Sequence, residues 1–92
     1  MDRTALETEL QDIFDADQRA ARVVARQARD LADSGRFADD LGTELSVEIV
    51  RSNLEDAPVD YSLVERWNWW LGALELSHGG YEQFTVRVTD DR

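Results

Sequence analysis

Residues 4–35, TALETELQDIFDADQRAARVVARQARDLADSG, decide how this chain is read. Leu6, Leu10, Ile13, Asp17, Ala21, Val24, Ala28 and Leu31 recur in steps of three and four, an apolar stripe with one polar interruption, flanked by Phe14 and Ala20. The mean step is close to the turn of a straight α-helix, so the pattern is not a strict coiled-coil heptad. Arg19, Arg22, Arg26 and Arg29 fall on the opposite face. Thr4 and Glu7 have the spacing of a capping box, in which the hydroxyl accepts from the Glu7 amide and the carboxylate accepts from the Thr4 amide. Ser34-Gly35 is a fitting stop, because glycine takes the left-handed C-cap conformation without strain.

An unbroken helix from 5 to 33 would be about 44 Å long at 1.5 Å per residue. A compact domain of this size has a radius of gyration of only about 12 Å. The helix therefore overhangs its own domain, or it bends near Asp15-Ala16-Asp17. An overhanging stripe is most simply covered by the same helix of a second copy. On that reading Leu6, Leu10, Ile13, Asp17 and Val24 form a homodimer seam, with Asp17 setting the register. The alternative is that the remaining helices fold back and cover the stripe within one chain.

Working outward, residues 36–42 (RFADDLG) read as one helical turn that returns Phe37 and Leu41 to the core. Residues 43–56 carry two signals. Leu45, Val47 and Ile49 alternate as a strand does, whereas Ser46 as N-cap would place Leu45 and Val50 at the two positions of a hydrophobic staple. Helix is the preferred reading, and a strand over 45–50 the alternative. Pro58 makes 56–60 a turn, because it keeps Ala57 out of the helical region. A second capping box, Ser62 with Glu65, starts a helix that carries Leu63, Trp67, Trp70 and Leu74 on one stripe and ends at Gly79-Gly80. From Tyr81 to Asp90, Phe84, Val86 and Val88 alternate with Thr85, Arg87 and Thr89, which predicts a strand. A lone strand leaves its backbone unpaired, so it would pair with a second chain or with residues 45–50. The expected fold is a single domain, mostly α: a small helical bundle with one long N-terminal helix and a short C-terminal strand.

The chain has 92 residues and a formal charge of −10, from twenty acidic and ten basic residues. All ten basic residues are arginine, and Asp outnumbers Glu by twelve to eight. Carboxylates hold water and cations when salt is molar, whereas lysine exposes a long apolar stem. At molar salt the Debye length is about 3 Å, which screens the self-repulsion such a chain suffers in dilute buffer. In composition over its whole length, though in no motif, the chain resembles proteins of salt-accumulating haloarchaea. With no basic patch to meet phosphates, direct nucleic-acid binding is not expected. No cysteine is present, so neither disulfides nor a cysteine-ligated zinc site braces the core. No apolar run reaches the roughly 18 residues of a membrane span, and the start MDRTALETEL is too polar for a secretory signal. A cytoplasmic protein without membrane partners is expected.

Chemistry-bearing residues are few. In Trp67-Asn68-Trp69-Trp70, helical geometry puts Trp67 and Trp70 near one face and Trp69 well away from both. Trp69 is therefore the indole expected at a groove or interface, where aromatics are enriched. His78, the single histidine, stands where a helix end exposes carbonyls, and a capping role fits it better than a catalytic one. Arg66 suits a surface or inter-helix ion pair, or stacking on Trp69 or Trp70. Asp12, Asp15 and Asp17 lack the central glycine and closing glutamate of a calcium loop. No nucleophile–base pair, metal-ligand spacing or phosphate loop stands out, so no cofactor is expected.

The leading expectation is a non-enzymatic interaction module, homodimeric or paired with another protein. Its expected contact residues are Trp69, Trp70, Arg66, Tyr81 and His78. The alternatives are a small-molecule or catalytic pocket lined by Trp69, Tyr81, His78 and Glu65, and an acidic mimic of nucleic acid.

Overall fold

The apolar stripe breaks at Asp15. In a computed structural model, which describes residues 1–87, the expected long helix is two: α1, Arg3–Phe14, and α2, Gln18–Ser34. Three more helices follow: α3, Arg36–Leu41; α4, Val47–Glu55; and α5, Leu63–His78. Among the described residues there is no strand.

Asp15 adopts the left-handed conformation, with φ 52° and ψ 38°. Asp accepts that region more readily than most side chains. Two residues on, Asp17 is the N-cap of α2, its carboxylate accepting from the Ala20 amide at 2.7 Å. A carboxylate in the middle of an apolar stripe would be buried unpaired, whereas as a cap it stays in water and satisfies an orphan amide. The described residues measure 35 × 26 × 22 Å, too short for the unbroken helix. The stripe is covered within the chain: Leu6, Leu10, Ala21, Val24, Ala28 and Leu31 are wholly buried in one core. Ile13 is 37% exposed at the end of α1, and Asp17 is at the surface. The overhang that called for a second copy along this stripe does not arise.

The start of α1 differs from expectation. Asp2, not Thr4, is the N-cap, accepting from the Thr4 and Ala5 amides at 3.0 and 3.2 Å. A carboxylate two residues upstream satisfies two amides and complements the helix dipole, so it outcompetes the hydroxyl. Glu7 is left to face Arg22 of α2 at 3.9 Å. Gly35 ends α2 with φ 77°, as its place in the sequence predicts. In α3, Phe37 is buried but Leu41 is 41% exposed, so only one of the two expected anchors enters the core.

Residues 47–55 are helix. Ser46 is the cap, accepting from the Ile49 amide at 3.2 Å, and Leu45 and Val50 are both buried. The capping box at Ser62 and Glu65 is formed in both directions, at 3.2 and 2.7 Å. Gly79 closes α5 by donating its amide to the Glu75 carbonyl at 2.8 Å.

The expected strand from Tyr81 is replaced, over its described part, by a 3₁₀ turn at Glu82–Phe84 and an irregular stretch to Arg87. Residues 88–90 of that expectation lie outside the described residues. Alternation fixes which side chains face inward, but not whether a second strand is present. Here α5 takes the tail instead. Trp67 Nε1 donates to the Phe84 carbonyl at 2.9 Å. The Asn68 side-chain amide grips Val86 at both backbone groups, donating to its carbonyl and accepting from its amide, each at 2.8 Å.

Candidate interaction site on the outer face of the tryptophan helix

The four residues Trp67-Asn68-Trp69-Trp70 face three surroundings, because successive positions on a helix turn by about 100° and the first and fourth share a face. Trp67 is wholly buried and Trp70 nearly so. Their rings meet edge to face at 5.8 Å, and Phe37 meets Trp70 in the same way at 6.0 Å. Asn68 is committed to the tail. Trp69 alone points outward, 39% exposed, on a shallow groove of about 380 Å³ that it shares with Tyr61, Glu65 and Asn68. On the far side of Glu65, a second groove of about 400 Å³ is lined by Ser62, Val64, Val86 and Arg87.

Trp69 does not stand alone on its face. Gly72, Ala73 and Leu76 follow at the third, fourth and seventh positions, and all three are exposed, Leu76 to 91%. That spacing is one face of a helix. Helix α5 is thus apolar on two sides: Leu63, Trp67, Trp70, Leu71 and Leu74 face the core, while Trp69, Gly72, Ala73 and Leu76 face water. From Trp69 to Ser77 no exposed residue of α5 carries a charge, although a third of the chain is charged. The one carboxylate in that span, Glu75, is half-buried and turned to the tail, accepting from the Tyr81 and Glu82 amides at 2.7 and 3.0 Å. This second stripe was readable in the sequence by the same periodicity. It is masked by the stronger aromatic stripe beside it.

The other expected residues lie elsewhere. Among the described residues Arg66 makes neither an ion pair nor a stack on tryptophan. Its guanidinium donates to the carbonyls of Leu54, Val59 and Tyr61, at 2.9, 3.2 and 3.1 Å, and lies 4.9 Å from the centre of the Phe14 ring. Five donors in a planar fork suit it to gather carbonyls from the last turn of α4 and from the α4–α5 loop at once. Tyr81 is wholly buried, and its hydroxyl donates to Asp40 at 2.8 Å. Burial, then the hydrogen bond to Asp40 and that residue's charge, push the phenol up to about 12, against a smaller opposing pull from Arg36. His78 is exposed at the end of α5, with its ring 6.4 Å from that of Tyr81.

Trp69 and His78 are nine positions apart on one helix, half a turn round and about 13 Å along it. Trp69 with Glu65 therefore lines one groove, while Tyr81 and His78 meet at the opposite end of α5. Among the described residues no three histidine, cysteine or carboxylate side chains gather as metal ligands, and no helix is long and apolar enough to cross a membrane. No curated protein and no solved structure matches the chain. A family model described as the WNWW domain, whose letters are the run at 67–70, does match, over residues 1–75. The chain belongs to the WNWW domain family.

Proposed function

We propose that this protein is a non-enzymatic interaction module of the cytoplasm, adapted to high salt, that docks a protein partner on the outer face of α5. One observation carries the reading: an uncharged stripe of Trp69, Gly72, Ala73 and Leu76 lies open on a chain of charge −10. A surface built only to stay in solution would carry charge there, as the outer face of α2 does with four arginines. Depletion of charge around an exposed aromatic is the composition of an interface centre. A photoreactive benzoylphenylalanine replacing Leu76, activated in the producing cells, tests it. Protein adducts are expected at position 76 and not at an exposed α2 position such as Asp33. Equal labelling at both sites would remove the reading.

Salt adaptation rests on the absence of lysine and on twelve Asp among twenty acidic residues. Thermal unfolding followed by circular dichroism at about 2 M and about 0.1 M KCl compares a screened chain with a self-repelling one. A higher Tm at high salt is expected. An equal or lower one would refute the adaptation.

A further inference from the structure

We infer that the partner of the α5 outer face is a second copy of this chain, docked α5 against α5 and antiparallel, about a two-fold axis passing between Gly72 and Ala73. The inference rests on reading that face as a contact surface and adds what covers it.

The pattern itself is the argument. Trp69 and Leu76 are equidistant from the midpoint of Gly72 and Ala73, so the face reads large–small–small–large from either end. Antiparallel pairing about that midpoint sets Trp69 against Leu76 of the partner subunit, and Gly72 against the partner's Ala73. Each large side chain meets a large one and the small ones meet at the axis, which is the self-complementarity a two-fold interface requires. Nothing among the described residues lies within 4 Å of where a Gly72 Cβ would be, so the helix surface there is open to a close neighbour. Small residues at the crossing let two helix axes approach at the near end of the usual range, about 8 Å. The exposed acid on this face, Glu65, is a full turn outside the stripe. In the pair the two Glu65 carboxylates fall about 22 Å apart along the axis, so like charges do not meet at the centre.

Salt gives the arrangement a signature. Two chains of charge −10 repel one another in dilute buffer, while an apolar contact survives at molar salt, where the Debye length is about 3 Å. Association therefore strengthens as KCl is added, the reverse of a pair held by ion bridges. One helix pair buries less than the roughly 1,200 Å² of a standard interface, which makes this a weak, exchanging dimer.

The experiment is light scattering behind size exclusion on the purified full chain, with about 1 mM loaded to populate a weak dimer, in low and high KCl. A mass above the 10.5 kDa monomer is expected in high salt, falling towards it in low salt. Leu76→Asp abolishes the dimer without touching the fold, since Leu76 is 91% exposed. Because the chain has no cysteine, Ala73→Cys with a short bismaleimide cross-links the pair at its axis, and Asp33→Cys does not. A monomer at this concentration in high salt would overturn the inference. So would a dimer indifferent to Leu76→Asp, or cross-linking equal at both cysteines. If the purified chain is monomeric while position 76 still gives adducts in cells, only the choice of partner fails; if neither associates, the interaction reading fails with it.

Discussion

Helices α2 and α5 differ by one residue in length, and their solvent faces were built to different rules. The inner face of α2 is small and aliphatic, Ala21, Val24, Ala25, Ala28 and Leu31, and its outer face carries Arg19, Arg22, Arg26 and Arg29. The inner face of α5 is aromatic and leucine-rich, and its outer face is uncharged from Trp69 to Ser77. The contrast teaches that an amphipathic helix has one task and a two-faced helix has two. Helix α2 completes its packing within the chain, whereas α5 packs the core, holds the tail through Trp67 and Asn68, and still presents an apolar surface.

The sharpest way to break the comparison is to set the two indoles against each other. Trp67→Ala removes a wholly buried ring and the donor to Phe84, and should cost about 3–5 kcal/mol in urea unfolding. Trp69→Ala, on the outer face of the same helix, should change stability by about 1 kcal/mol or less. Comparable losses at both sites would mean that the outer face is also structural.

A smaller effect is expected where α5 holds the tail. Asn68→Ala deletes both hydrogen bonds to the Val86 backbone, a loss of about 1–2 kcal/mol. It should also raise amide exchange at Val86 while the core of α2 stays protected. Uniform exchange across both helices would instead make the tail part of one cooperative unit.

Tyr81 ties the same tail to α3 and sharpens the picture through pH. Its phenol is raised from 10.0 to about 12 in the folded chain, so the neutral form is the one folding favours. That stabilisation is fully present below the unfolded value of 10.0 and is lost as pH rises to about 12. Unfolding midpoints from pH 9 to 12, corrected against Tyr81→Phe, should fall more steeply for the natural chain. Parallel curves would contradict the assignment.

The least of these effects belongs to α2. Asp17→Ala removes the cap at Ala20 and should cost about 1 kcal/mol. For a domain of this size that lowers Tm by about 4–8 °C. A loss several times larger would mean that Asp17 does more than cap.

What was legible in the sequence is what the chain settles within about one helical turn. The caps at Ser46 and Ser62, the stop at Gly35 and the inward Trp67 and Trp70 follow from spacing alone, because their partners lie three or four residues away. At residues 15–17 the sequence carried the signs of a bend and could not choose between bending and overhanging. The choice depends on what else is present to cover the stripe.

Tertiary structure decided the rest, for one physical reason: the partners are distant along the chain, and only the loops bring them together. Phe84 and Val86 meet Trp67 and Asn68 across 17 and 18 residues, so an alternating tail became a stretch held by side chains and not a strand held by another strand. Arg66 found carbonyls five to twelve residues back because the α4–α5 loop curls around it. Charge, helical content and the two apolar stripes of α5 were written in the residues. Which segments close over the inward stripe was settled by the fold, since Phe37 and Phe84 reach Trp70 and Trp67 from 33 and 17 residues away along the chain.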